Sequence, residues 1–407
     1  MTKTIKRLLP AALAVLLVGC AIQPADSTTT RYRVALVAKN NRDSEFWDAV
    51  FTGAEAAATE YNLQLTITAP DDEEDYAAQN QLIADAVEDG AQAIVFSAID
   101  YEANAAAIDA AAAAGVTVIS VDSAVNSDNV AAYIGADNYG AGRMAAQSAL
   151  DGMEGALCVG LINYEVNGAN GRDREQGARD AFAESGRAKI TAAVSTHPNA
   201  ASARADTLAM LRTHPEINVL IALNETTAVG AAQAVQQMQR ADDLWLAAFD
   251  SNIETIDALQ TGAVDALIVQ NTYGMGYFGV ESAYKLLAGQ ESSVEKSNIT
   301  ATRTITRENM VAMDQQKALF AWVSPEARPL RAYRQSPSPT PEKGFFIFPS
   351  LAKILQNENN KHPFVTFDAH SAQKQTLSTG ETALNGENFH PIVGEISPCF
   401  FIRPRVL

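Results

Sequence analysis

RVALVAKNNRDSEFWDAVFTGAEAAATEY, residues 33–61, contains the unit from which most of the chain is built. The apolar run 33–38 reads as a buried strand, and 48–61 has the spacing of an amphipathic helix. Between them lies a short connection in which two large aromatics, Phe46 and Trp47, stand beside the polar run Asn40 to Ser44. A connecting loop that holds adjacent aromatics among hydrogen-bonding groups calls for an explanation beyond chain reversal.

The strand-like run recurs at 64–68, 93–96, 116–121, 131–134, 156–162, 189–194, 219–222, 244–249 and 266–270. Most of the intervals have helical spacing, as in AQNQLIADAVEDG and YEANAAAIDAAAAAG, and Gly90 and Gly115 follow their helices as C-terminal caps. Repeated strand and helix with continuously apolar strands predicts parallel sheets covered on both faces. So many strands exceed one comfortable open sheet, and 407 residues suffice for two domains, so the pattern predicts two doubly wound lobes. In such sheets ligands bind beyond the carboxyl ends of the strands.

Those ends are rich in polar groups. The first strand exits into KNNRDSEFW, the third into Ser97 and then Asp100, and the fourth into Asp122 and Ser123. NYEVNGANGR, with Arg172, follows residue 162; Asn224 and Glu225 follow the strand ending at 222; Phe249 leads into Asp250; and Gln270 closes the tenth run. Carboxylates, amides and an arginine supply the donors and acceptors that vicinal hydroxyls need, and flat aromatics supply faces for the C–H surface of a sugar. Each residue also has a plainer reading. Phe46 and Trp47 would serve as core residues at a helix start, Asp122, Asp250 and Asn224 as caps, and Arg172 as a surface charge.

The motifs GAQAIVFSAIDYEAN (90–104), AGVTVISVDS (114–123), YIGADNYGAGRMAA (133–146), GRDREQGARDAF (171–182), LIALNETTAVGAAQA (220–234) and LAAFDSN (246–252) occur in the order of a known family. Over residues 31 to about 325 the chain resembles the periplasmic sugar-binding proteins of ABC transporters, in the ribose-binding group. The resemblance implies the type I periplasmic binding protein fold: two Rossmann-like, doubly wound parallel-sheet α/β lobes joined by three crossover segments. It puts one lobe at 31–136 plus 271–299 and the other at 137–270 plus 300–328, with crossings near 136–137, 270–271 and 299–301. It implies ligand contacts at Asn40, Ser44, Phe46, Trp47, Ser97, Asp122, Ser123, Arg172, Asn224, Phe249, Asp250 and Gln270. It also implies a monomer that closes on a sugar and presents it to a membrane permease, or to a sensor kinase or chemoreceptor. Ser123, Ser44 and Ser97 stand where ribose binders place an Arg, an amide and an Asn. The departures leave a larger sugar, a sugar acid or phosphate, or a signalling furanose as ligands that fit as well as ribose.

The net charge of −18 runs against a nucleic-acid partner. Lys3, Lys6 and Arg7 precede an apolar stretch, 8–18, that ends at Cys20, a signal-peptide pattern (1–19) resembling the lipobox of bacterial lipoproteins. It predicts a lipid anchor on Cys20, a flexible tether at 20–30, and a location in the cell envelope, outside the cytoplasmic membrane. Cys158, in ALCVGLI, reads as a core thiol. GMGYFG (274–279) spells the dinucleotide-binding glycine motif, but it follows the tenth strand rather than the first, so no cofactor is expected. The run DDEED (71–75) lacks the spacing of a calcium loop and reads as a solvated helix start. No catalytic constellation stands out, and neither an enzyme nor a metal protein is expected. RQSPSPTPEKG (334–344) marks a Pro-rich linker, 329–344, and 345–407 loses the pattern of the preceding chain.

Overall fold

The structure, a computed structural model, describes residues 31–42 and 44–320. The signal segment, Cys20, the tether, the linker, the tail and the end of the second lobe as read from sequence lie outside them. The described residues form two sheets. The first contains β1 (Arg33–Val37), β2 (Gln64–Thr68), β3 (Ala93–Phe96), β4 (Thr117–Val121), β5 (Val130–Gly135) and β11 (Ser297–Ile299), in the order β11-β5-β4-β3-β1-β2. The second contains β6 (Leu157–Asn163), β7 (Ala188–Ser195), β8 (Val219–Ala222), β9 (Trp245–Phe249), β10 (Ala266–Gln270) and β12 (Thr302–Thr306), in the order β12-β10-β9-β8-β6-β7. All pairings are parallel except β10 with β12.

The helices are α1 (Glu45–Glu60), α2 (Tyr76–Glu88), α3 (Ala105–Ala113), α4 (Asn138–Gly152), α5 (Ala169–Ser185), α6 (Ala200–Thr213), α7 (Glu225–Met238), α8 (Ile253–Thr261), α9 (Thr272–Leu287) and α10 (Met313–Leu319). Strand side chains alternate between the two faces of each sheet. Val34 and Leu36 of β1 pack with Trp47, Val50 and Phe51 of α1 and Val280 of α9, while Ala35 and Val37 pack with Ile83 of α2 and Ile108 of α3. In the second lobe, Leu220 and Leu246 face one helical layer, and Ile221 and Phe249 face Phe182 of α5 and the alanines of α4. Burial on both faces explains why these strands read as apolar runs.

The ten sequence-read strands are all present, some with ends shifted by a residue. β11 and β12 went unread because they are short, polar-alternating edge strands, SNI and TRTIT, with no buried run to betray them. The chain passes between sheets three times: from β5 to α4, from β10 to α9, and from β11 to β12.

GMGYFG serves packing. A Cβ on Gly276 would lie 1.8 Å from the Val50 carbonyl oxygen, and one on Gly53 would lie 2.1 Å from that of Tyr273. These glycines let the backbones of α1 and α9 touch. Gly142 and Gly177 do the same between α4 and α5, the counterpart pair in the second lobe.

Candidate functional site

In each sheet the strand order reverses once, between β1 and β3 in the first lobe and between β6 and β8 in the second. Chain segments leave such a switch point in opposite directions and open a crevice at the strand ends. The two crevices face each other, and one cavity of about 380 Å³, open mouth included, is walled by both lobes. Lys39, Asn40, Ser44, Phe46, Trp47, Glu73 and Asp122 line it from the first lobe. Tyr164, Glu165, Asn170, Arg174, Asn224, Glu225, Thr226 and Asp250 line it from the second.

Lys39, at the exit of β1, is buried, with its ammonium 3.1 Å from Asp122 Oδ2 and donating to Glu165 across the cleft. Burial alone would lower its pKa. The nearby carboxylates of Asp122, Glu165 and Glu73 outweigh that and hold it above the ordinary lysine value. Glu73 accepts from Asn40 Nδ2 at 2.8 Å and from the Tyr164 hydroxyl of the other lobe at 2.9 Å. Burial pushes its carboxyl up to about 7, against the pull of Lys39. Glu165 also accepts from Asn224 Nδ2.

The arginine of the cavity is Arg174, and this corrects the sequence reading. Arg172 is exposed, its guanidinium 4.7 Å from the centre of the Tyr101 ring, so it bridges the lobes at the rim. Two residues on, the helix has turned enough for Arg174 to be 2 % exposed and point inward. Arg174 donates through Nε to Asn138 Oδ1 and through Nη1 to the Leu223 carbonyl, both at 2.9 Å, and rests 4.6 Å over the Phe249 ring. Its Nη2 has no partner among the described residues. Asp250 sits nearby, its carboxyl raised to about 7 by burial despite Arg174 and a 2.7 Å bond from Gln270 Nε2.

Phe46 and Trp47 occupy the first turn of α1 rather than a connecting loop. Ser44 caps that helix, its Oγ accepting from Trp47 N–H at 3.3 Å. Trp47 is 3 % exposed and packs edge-on against Phe46, so it is at once core and cavity wall. The two plain alternatives for these aromatics therefore coincide.

The same helix end takes part in a reciprocal contact between lobes. Ser44 Oγ donates to Glu225 Oε2 at 2.6 Å, and Glu225 is the first residue of α7. Glu45, the first residue of α1, accepts from the N–H of Ile253, the first residue of α8, at 3.0 Å. Each lobe thus places a carboxylate at a helix N-terminus of the other, where unpaired N–H groups and the helix dipole favour negative charge.

Of the residues implied by the resemblance, Asn40, Ser44, Phe46, Trp47, Asp122, Asn224 and Asp250 line the cavity. Ser97, Ser123, Phe249 and Gln270 stand behind it. Ser97 Oγ donates to Asp122 Oδ2 at 3.0 Å, Ser123 is buried beside Ser97, Phe249 underlies Arg174, and Gln270 holds Asp250. Glu73, Tyr164, Glu165 and Asn170 were not singled out. Glu73 is hidden inside the acidic run 71–75, of which Asp75 alone serves as the cap of α2; Tyr164 and Glu165 lie just past β6, and Asn170 lies in the first turn of α5. Cys158, half-buried on β6, has no disulfide partner among the described residues.

Comparison with known proteins agrees with this architecture. The D-ribose/D-allose-binding protein of Pseudomonas aeruginosa is 28% identical over 284 residues, covering 68% of this chain and 88% of that protein. The crystal structure of a sugar transporter from Clostridium phytofermentans matches with 32% identity and a TM-score of 0.62, over 68% of this chain and 99% of that one. A carbohydrate transporter solute-binding protein from Agrobacterium radiobacter, in complex with D-arabinose, matches with 25% identity and a TM-score of 0.68, over 72% of this chain and 100% of that one. The periplasmic binding protein domain matches residues 34–291, and with two switch-point crevices closing one cavity the chain belongs to that family.

Proposed function

We propose that this protein is an extracytoplasmic solute-binding lipoprotein, anchored through Cys20, that captures a sugar between its lobes as a monomer and delivers it to an ABC permease. The observation that carries the reading is the cavity itself, walled from both lobes by carboxylates, amides, one buried arginine and three aromatics. Asp122, Asp250, Asn40 and Asn224 would take sugar hydroxyls, Arg174 a ring or hydroxyl oxygen, and Phe46 with Trp47 the apolar face. Capture needs no chemistry. Closure excludes water, and hydrogen bonds to the hydroxyls strengthen in the drier site. Five carboxylates against two cations in the wall run against a sugar acid or sugar phosphate.

A thermal-shift screen tests the reading, because a ligand that binds only the folded state raises the melting temperature. A clear shift with a pentose, hexose or polyol is expected. Silence across carbohydrates together with a shift from a nicotinamide dinucleotide would overturn it. Loss of membrane association in a Cys20→Ser variant is the expected result for the anchor, and unchanged association would remove it.

A further inference from the structure

The charges around Lys39 do not balance. Among the described residues its ammonium is the one cation facing three carboxylates, Asp122, Glu165 and Glu73, in a wall lined by both lobes. Arg174 does not make up the deficit, because Asp250 is its own counter-charge. Glu225 is satisfied separately by Ser44 and by Asn252 Nδ2 at 3.2 Å. Buried negative charge without a counter-charge either takes up a proton or recruits a cation.

A second observation concerns Arg174 in the same cavity wall. Arg174 Nη2, on a side chain 2 % exposed, has no partner among the described residues and calls for an oxygen acceptor. Room exists at the acidic end as well. Lys39, Glu73, Tyr164 and Glu165 also line a neighbouring space of about 530 Å³, open solvent included, that is lined as well by Asp100 and Ser195.

From this arrangement we infer that the ligand is a polyhydroxylated ring bearing a protonated amine, the amine held by Glu73, Asp122 and Glu165 and a ring or hydroxyl oxygen held by Arg174. The inference rests on the reading of the cleft as a sugar site and specifies its substrate class. An amine brings the missing positive charge, and charge-assisted hydrogen bonds to carboxylates are stronger than those of a hydroxyl. N-acetylation removes both the charge and the fit.

The test is calorimetric titration of the purified protein at neutral pH with amino-deoxy pentoses and hexoses. Their N-acetyl forms, the parent sugars and the uronic acids complete the panel. An amino sugar should bind on the order of tenfold tighter than its parent, with the N-acetyl form and the uronic acid weaker than both. Glu73→Gln should lower affinity for the amino sugar more than affinity for the parent and so narrow the amine-to-parent ratio. A parent sugar or uronic acid that binds as tightly as the amine overturns this inference and leaves the sugar reading standing. Absence of binding by every carbohydrate overturns both. An unchanged ratio in Glu73→Gln overturns the assignment of the amine to this carboxylate cluster, and the panel on the unmodified protein decides the amine preference should that variant not fold.

Discussion

Asp122 and Asp250 are counterparts: each follows the fourth strand of its lobe, each adopts a left-handed backbone, with φ of 58° and 66°, and each donates its N–H to the neighbouring strand. The acceptors are the carbonyls of Ile134 and Ile268. Non-glycine residues accept this conformation at a cost, and Asp and Asn bear it best. Both carboxylates are thereby turned into the cavity from opposite sides. Asp250→Asn should keep the fold, whereas Asp250→Ala should lose about 1 kcal/mol of stability to backbone strain. Both should lose most ligand-induced thermal stabilisation. Denaturant titration separates the two effects, and equal stability of the variants would remove strain from the account.

Arg174 and Arg172 predict opposite phenotypes. Arg174→Ala leaves the Asn138 amide oxygen and the Leu223 carbonyl without their donor, removes the positive charge near the buried Asp250 carboxyl, and should cost about 3 kcal/mol along with binding. Arg172→Ala removes only an exposed contact with Tyr101 and should leave the ligand Kd within about twofold, a change of under 1 kcal/mol. Calorimetry on both variants checks this, and a large loss of binding in Arg172→Ala would restore it to the cavity.

The reciprocal helix contacts of Glu45 and Glu225 should bias the lobes toward closure. Glu225→Ala removes the acceptor of Ser44 Oγ and should shift small-angle scattering toward a larger radius and speed ligand release. Identical scattering and release rates in variant and parent would dismiss the clasp.

Acid should stabilise the protein up to a point. Glu45, Glu73 and Asp250 are each held near 7, burial being the first cause in all three. In the unfolded chain these groups ionise at ordinary carboxyl values, so the folded form holds more protons between those values and 7. Their contribution is complete below the ordinary values and is lost as pH rises through about 7. Glu73→Gln mimics the neutral form. Its melting temperature should exceed that of the parent at about pH 8 and match it at about pH 4. The reverse order would mean that Glu73 is ionised and satisfied in the fold.

Gly276→Ala should be poorly tolerated. Its Cβ would meet the Val50 backbone, which cannot swing aside as a flexible side chain does, and a loss of about 1–3 kcal/mol is expected from overpacking. Thermal denaturation reads this directly, and a neutral substitution would show that α1 and α9 have slack.

Local patterning sufficed for the lobes. Strands buried on both faces announce themselves as apolar runs, since β3 (AIVF) and β8 (VLIA) have no solvent-facing side to break the pattern. The short edge strands β11 and β12 needed a sheet to pair with before they could be seen. Strand exits identified Asp122, Asn224 and Asp250 because doubly wound sheets always present those positions to the crevice.

What the chain order alone could not reveal was which neighbour on a helix or loop turns inward. Arg172 and Arg174 share one motif, yet the helical rotation between them puts one at the rim and the other beneath the cavity. Glu73 looked like one acid among five until closure set it beside Tyr164 of the other lobe. Sequence thus determined the strands, the helices and the end of each sheet that binds. Only the tertiary structure decided the charge balance around Lys39, because that depends on carboxylates brought together from three distant strand exits in two lobes.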